Sequence, residues 1–355
     1  MLYNLKIFRI LVLSFIFLSG INHAMAQDCS SSGACTCGQD LAPSGIMNDH
    51  LHNAGQWMVS YRYMRMNMAN NISGSQPVSD NNVYNDYLMS PGKMNMDMHM
   101  LMVMYGISDR FTAMIMPSYV VSNMSMNMPN GGNAVMIMPG TTAAMPNNQA
   151  ISGIGDTRLY GLYSITKNED IQIVASLGLS IPTGSINKKA FQVLYSDIHA
   201  DYNMQPGTGT LDFLPEISLL VHASGFDWGA QAIGTFRPFF NTNGYHYGNE
   251  GVAELWAARK WASWVSNSLR IEAVADGSMT GADTRLFSVM EPSANAANYG
   301  GFKAYLYPGI NFYPGSLFNI ESRIRIEYGL PIYQYAQGIQ MASQSVISAA
   351  LDFIF

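Results

Sequence analysis

Charge is scarce in this chain: Asp, Glu, Lys and Arg make up 12% of its 355 residues, about half the ~25% usual for soluble domains. A soluble surface built from so few charges would be poorly solvated. The net charge of −6 includes no basic run, so no nucleic-acid partner is expected. Beyond residue 26 no run of ~18 or more apolar residues occurs, which removes an α-helical membrane span. What remains is an exported soluble protein or a β-barrel. Three cysteines leave an odd thiol after any pairing.

The N-terminus carries Lys6 and Arg9 ahead of the apolar stretch Ile10 to Leu18, then Ala24-Met25-Ala26 as a small-x-small cleavage site. Residues 1–26 are therefore read as a signal peptide. Ala26-Gln27-Asp28 before Cys29 lacks the pattern of a lipoprotein signal, so no lipid anchor is expected. Residues 27–54 are expected to form a periplasmic Cys/His-containing segment and residues 55–355 the folded domain.

Twelve strand-like stretches, each near the ~9–11 residues that cross a membrane on a tilt, run as Gly55–Met68, Met94–Tyr105, Phe111–Ser122, Asp156–Thr166, Ile171–Ile181, Leu211–Ala223, Trp228–Phe240, Glu250–Lys260, Val265–Ala275, Gly300–Tyr313, Phe318–Tyr328 and Ser343–Phe355. Their connections alternate. Gly106–Arg110, Lys167–Asp170, Ser224–Asp227, Trp261–Trp264 and Pro314–Leu317 are short, whereas Ala69–Lys93, Met124–Gly155, Pro182–Thr210, Asn241–Asn249, Asp276–Tyr299 and Gly329–Ala342 are longer. That is the plan of an all-β transmembrane, antiparallel up-and-down barrel with short periplasmic turns and long extracellular loops. A soluble sandwich or β-helix would also alternate, but the low charge sides with the barrel. So does the row of aromatics beside the short turns, Tyr105, Phe111, Trp228, Trp261, Trp264, Tyr313 and Phe318. The last strand places Ile347, Ala349, Leu351, Phe353 and Phe355 on one face, an aromatic C-terminus of the kind barrel-assembly machinery recognises. The expected partners are thus that machinery, outer-membrane lipid and a small solute.

Methionine is what the chain has in excess, with 26 residues. It recurs at every second position in Met94, Met96, Met98, Met100, Met102 and Met104, the period that puts all six thioethers on one face of a strand. Met64, Met66 and Met68 repeat the pattern, as do Met114 and Met116. Parity decides the face. Met58, Ser60, Arg62 and Met64 alternate against Trp57, Val59, Tyr61 and Tyr63, so methionine sides with arginine and serine, towards a lumen. Asn95, Asp97 and His99 take the other register in a part of the strand expected to rise above the membrane. Such a wall is either flexible apolar filler or a ladder for a soft metal, because thioethers favour Cu(I); sacrificial oxidation is a third use.

Two further clusters are candidates for metal. His50 and His52 sit two residues apart beside Asp49 and Met47, and Cys29, Cys35 and Cys37 could form one disulfide or a thiolate site. His99 lies within the methionine run. No cofactor is required by any motif; a copper ion is the one inorganic guest the pattern suits. Arg62, Glu216, Arg237, Glu254, Arg270, Glu272, Glu321, Arg323, Arg325 and Glu327 are expected to face the lumen and neutralise one another. His222-Ala-Ser224-Gly225 places a His and a Ser on one face, but no Gly-x-Ser-x-Gly elbow accompanies it, and no enzyme activity is expected.

At Ile151-Ser-Gly153-Ile-Gly155-Asp156-Thr-Arg158, followed by Ser180-Ile-Pro182-Thr-Gly184, the chain resembles the outer-membrane transporter family named for the meta-pathway of phenol degradation. The segment Asp49-His50-Leu-His52, continuing through Gly55-Gln-Trp57-Met58, is similar to the opening of a Met-rich branch of those barrels associated with copper. The resemblance implies an outer-membrane pore or transporter for a small solute, with Cu(I) favoured. A channel for small hydrophobic or aromatic compounds and a non-transporting metal-binding barrel are the alternatives. It carries over no substrate-binding residue.

Overall fold

The structure, a computed structural model, describes residues 41–129, 134–138, 141–144, 148–168, 170–193, 196–223, 225–317 and 320–355. The expected signal peptide, Cys29, Cys35, Cys37, Ser224 and Phe318 lie outside the described residues. Within the unit Thr36–Phe355 the architecture is a closed antiparallel β-barrel. Its strands are β1 (Trp57–Gly74), β2 (Ser90–Ser108), β3 (Phe111–Met116), β4 (Ser118–Asn127), β5 (Asn148–Ile154), β6 (Thr157–Lys167), β7 (Ile171–Ile181), β8 (Asp212–Ala223), β9 (Phe226–Thr235), β10 (Glu250–Ala262), β11 (Val265–Asp276), β12 (Gly301–Leu317) and β13 (Ile320–Ile354).

Eleven of these form the ring, from β1 through β13, β12, β11, β10, β9, β8, β7, β6, β3 and β2 back to β1. β13 is 35 residues long and crosses twice. Residues 320–336 pair with β12, and residues 339–354 pair with β1. The chain reverses at Gly338, whose φ of 72° is readily reached without a Cβ, and Gln334 ties the two limbs by bonding Ser343 at both its N–H and its carbonyl. The wall therefore has twelve crossings, as the pattern of turns predicts. An even number returns the chain to its starting end, where Trp57 and Phe355 exchange backbone hydrogen bonds of 3.3 and 2.9 Å. Among the described residues every strand of the ring is paired on both sides, which the cost of unpaired backbone groups in lipid demands.

The strands outrun their predicted bounds at the long-loop end. β1 continues to Gly74 rather than Met68, and the expected loop Gly329–Ala342 is paired strand. The predicted loop Met124–Gly155 holds β5 and a small hairpin of Ala134–Met138 with Thr141–Ala144. Register shifts about Met68 flip the inward parity, so Asn71 is buried where even positions faced inward before, and a simple alternation does not mark the extension of β1. β4 and β5 prolong β3 and β6 beyond breaks at Pro117 and at Gly155-Asp156, pairing with each other and with β2.

Outward positions carry Leu177, Ile217, Leu255, Ile271, Ile324 and Ile326, an apolar band of the kind lipid requires. At the short-turn end Trp57 stacks near Tyr105 and Trp264 near Phe312, with ring centroids 4.4 and 6.5 Å apart. Tyr313 departs from the expected girdle: it is turned inward, its hydroxyl 3.0 Å from that of Ser266. Its odd parity is that of the inward Tyr305, Tyr307 and Asn311, and even-numbered Phe312 takes the place beside Trp264.

Leu255, 61% exposed near the middle of β10, tests the lipid face. Leu255→Arg is expected to lower barrel stability in liposomes by about 2–4 kcal/mol, the range for a cation at mid-membrane, read by denaturant unfolding.

Candidate functional site

Because inward positions alternate with lipid-facing ones, the even-numbered residues of β1 and β2 converge on the lumen. Cross-strand register then sets methionine against methionine: Met58 with Met104, Met64 with Met98, Met66 with Met96 and Met68 with Met94. The rows extend into the next strands, where Met104 faces Met114 and Met94 faces Met124. Three adjacent strands thus present one continuous thioether wall. Its two ends are close-packed. At the short-turn end Met58, Met102, Met104, Met114 and Met116 form a buried cluster with Leu51, Tyr160, Leu162 and Val174. At the long-loop end Met89, Met94, Met124, Met126, Met128, Met204 and Met290 form another, flanked by Met68, Met96 and Met341. Between them Met64 and Met66 pack on Tyr305 and Tyr307. Met64, Met66, Met96, Met98 and Met100 are half-buried and keep surface towards the lumen.

His99 is not part of this wall. It points outward, 2.7 Å from the hydroxyl of Tyr61, in a polar belt where Tyr63 donates to Asp97 and Arg65 lies 3.5 Å from the same carboxylate. Odd parity separates it from the thioethers.

The charged side chains sort into two complementary groups. Arg270 bonds Glu327 at 3.0 Å, Glu254 at 2.7 Å and Glu272 at 2.6 Å, and its guanidinium lies 3.8 Å from the ring centroid of Tyr307. Asp352 receives Arg323 at 3.0 Å, Arg325 at 2.8 Å and the hydroxyl of Ser60 at 2.6 Å. One group has surplus carboxylate, the other surplus guanidinium. Glu216 bonds Gln231, Arg237 lies near the rim between Asp212 at 3.4 Å and Glu250 at 3.9 Å, and Glu321 is half-buried.

Residues 41–54 fill the space between these groups. The sequence reading places them in a separate periplasmic segment; in the structure they are threaded into the lumen as a plug at the short-turn end. The plug's carbonyls meet the surplus arginines: Arg62 donates to Ser44 O and Ile46 O, and Arg325 to Pro43 O. Its donors meet the surplus acids: Ser44 Oγ and Gly45 N both donate to Glu327, and Asn48 donates to Glu216 at 2.9 Å. Asn311 and Gln231 hold Leu41 O and Met47 O. Where the plug leaves the barrel, Gly106 gives it room, since a Cβ there would sit 2.1 Å from Asn53 O. A segment without regular structure has its polar backbone satisfied by side chains of the wall.

The long connections close the other end. Leu88 N and Met89 N bond Val289 O and Met290 O. Tyr247 donates to Tyr202 O at 2.6 Å, and Tyr202 packs edge-on to Tyr245 and Tyr299. Asp156, in the Gly-x-Gly-Asp motif, accepts from Gly184 N, Thr208 N and Thr208 Oγ1 within 2.9 Å, clasping the 182–210 connection to the rim. The two motifs that carry the family resemblance are thus brought together. Between roof and wall lies a cavity of about 440 Å³ lined by Met68, Met96, Met341, Tyr247, Tyr299, Arg237 and Lys303. Within the roof Ser293 Oγ bonds both Asp201 at 2.6 Å and Glu291 at 3.1 Å. Burial pushes both carboxyls above their ordinary range, and Asp201 raises Glu291 further.

Sequence reasoning missed Asp352, although its parity opposite Leu351 and Phe353 marks it as lumenal. It also missed Asn48, Gln231 and Asn311, whose roles follow from the plug, and no periodicity announces a plug. His222 lies 3.1 Å from Asp227. Among the described residues no three His, Cys, Asp or Glu gather as a metal cluster.

Two outcomes are expected. Glu327→Gln removes the carboxylate shared by Arg270 and the plug, both fully buried, and is expected to cost about 3 kcal/mol of stability while exposing residues 41–54 to added protease. The roof should loosen with rising pH. An open roof releases the proton that the raised pair retains, so closure is fully stable below the ordinary carboxylate range and weakens as pH rises through the raised pKa. Proteolysis of the 182–210 connection across that range measures it, and Glu291→Gln should flatten the response.

No protein-family model and no curated protein sequence matches the chain. Among solved structures it is similar to an outer membrane channel from Pseudomonas putida F1, at 11% identity over 86% of this chain and 98% of that one, with a TM-score of 0.55. The toluene transporter TbuX of Ralstonia pickettii matches at 10% identity over 85% of this chain and 90% of that one, TM-score 0.42. The beta domain of the Bordetella autotransporter BrkA matches at 12% identity over 86% and 100%, TM-score 0.42. At such identities the likeness is one of fold, and the fold is that of an outer-membrane β-barrel.

Proposed function

We propose that this barrel is an outer-membrane channel for a small soft solute, with Cu(I) as the favoured cargo handed along the methionine wall. The observation that carries the reading is the cross-strand register, which lines up thioethers from three adjacent strands on the lumenal face. Thioether is a ligand for soft cations and a poor one for hard ones, and a row of similar weak sites lets an ion enter and leave. Met64, Met66, Met96, Met98 and Met100, half-buried between the two packed clusters, are the accessible rungs. In this reading the short-turn end with the plug faces the periplasm and the roof faces outward. Export by the N-terminal signal, assembly through the Phe355 strand, and kinship with the meta-pathway transporter family belong to the same proposal.

A second reading rests on the cavity. At about 440 Å³, with methionine and tyrosine in its lining, it has the size and character of a pocket for a small apolar molecule. A small aromatic compound would then use the wall as an apolar track.

Replacing Met64, Met66, Met96, Met98 and Met100 together by Leu keeps volume and should cost little in folding. The expected result is loss of the weak Cu(I) equivalents bound by the purified barrel under reducing conditions and altered copper sensitivity of cells. Unchanged binding would sink the copper reading; lost uptake of an aromatic compound with unchanged copper behaviour would establish the second.

A further inference from the structure

The plug carries a feature that its structural role leaves unexplained. His52 is 1% exposed, and neither ring nitrogen has a hydrogen-bonding partner among the described residues. A buried imidazole in that condition is costly, because it has given up water for nothing. Its backbone is pinned in place: His52 N donates to Thr112 Oγ1 at 3.1 Å, and its carbonyl lies against Gly106. Thr112 and Gly106 are paired in register, and the next lumenal row along the same strands is Met114, Met104 and Met58. Rows on one face are ~7 Å apart, within reach of an imidazole and a flexible thioether. All three methionines are buried in the cluster that also packs Leu51, the residue before His52.

His50 completes the arrangement. Its ring meets that of His52 edge-on, centroids 5.2 Å apart, and its Nδ1 lies 2.8 Å from Asp49. A carboxylate at Nδ1 fixes the proton there and leaves the lone pair on Nε2, the orientation that a hydrogen-bonded carboxylate gives to a ligating histidine.

We propose that His50 and His52, with the thioethers of Met58 and Met104, form a discrete Cu(I) or Ag(I) site at the junction of plug and wall. Two imidazoles with thioethers suit a soft monovalent ion of low coordination number, and the absence of a third His, Cys, Asp or Glu ligand among the described residues disfavours zinc. The site draws ligands from plug and wall together, so bound metal staples the plug and favours the closed barrel. It deepens the soft-solute reading above but differs from the ladder in one respect: it is a single mixed nitrogen and sulfur site, whereas the ladder is many weak sites of sulfur alone.

The test is titration of the purified full-length barrel with Cu(I) against a chromogenic Cu(I) chelator, under reducing conditions. One tight equivalent is expected. It should weaken by about tenfold or more in His52→Gln and in His50→Gln, at least what losing a group that merely orients a ligand costs, and persist in the Met-to-Leu ladder variant. X-ray absorption at the copper edge of the unmutated protein, which no folding defect can confound, should show both nitrogen and sulfur scatterers at one equivalent. Sulfur alone, or a tight equivalent unchanged in His52→Gln, would overturn the site and leave the ladder standing. No tight equivalent in the unmutated protein would also overturn it. Loss of the weak equivalents in the ladder variant with the tight one intact supports both.

Discussion

Closure of the ring by β1 against the second limb of β13 is the constraint on which everything else depends. Lipid offers no partner for a backbone N–H or carbonyl, so Met58 must meet Ile354 and each later pair follows in register to Asn67 and Ser345, with an irregularity about Met68 before pairing resumes from Asn71 with Met341. Once the ring is closed, the period of two assigns every side chain to lipid or lumen. An interior twelve crossings wide then has to be filled or left to water. This chain fills it with three materials: methionine on one wall, paired charge on another, and its own N-terminal residues between.

The charge arrangement explains why an irregular peptide can sit inside a barrel. Buried ion pairs rarely add net stability, since desolvation offsets attraction. Here the imbalance within each group is what matters. Arg270 has more carboxylates than it can neutralise, and Asp352 has more guanidinium than it needs. Neither group is complete until the plug arrives, with its carbonyls for the arginines and its N–H and hydroxyl donors for Glu327 and Glu216. The wall therefore recognises an irregular backbone by the polarity along its length, with Ser44 and Asn48 adding side-chain donors to those acids.

The barrel was legible in the sequence because its constraints are local. Alternation of Ile324 and Ile326 against Arg323, Arg325 and Glu327 reads directly as lipid and lumen, and the register of Met64 with Met98 is implied once both are assigned inward. Two things were not legible, for physical reasons. The strand extension to Gly74 follows register shifts about Met68 that flip the inward parity, so Asn71 is buried where even positions faced inward before. The plug has no period at all, because its backbone is satisfied by Arg62, Asn311 and Gln231, each more than ten residues distant. Tyr313, by contrast, was legible: it shares the odd parity of the buried Tyr305, Tyr307 and Asn311, and only its nearness to a short turn suggested the girdle.

The choice of methionine for the filled wall follows from what closes the two ends. At each end the packing partner is irregular: Leu51 and Met47 from the plug at one, Met204 and Met290 from the roof connections at the other. Branched side chains with few rotamers would fit one such partner well and tolerate no displacement of it. An unbranched thioether repacks at little cost, so the same wall conforms to plug and roof alike. A surface that must seal against two irregular partners has to be adaptable in shape before it can be selective in chemistry. Methionine offers both, with its sulfur remaining available to a soft solute wherever Met64, Met66, Met96, Met98 and Met100 are left half-covered between the seals.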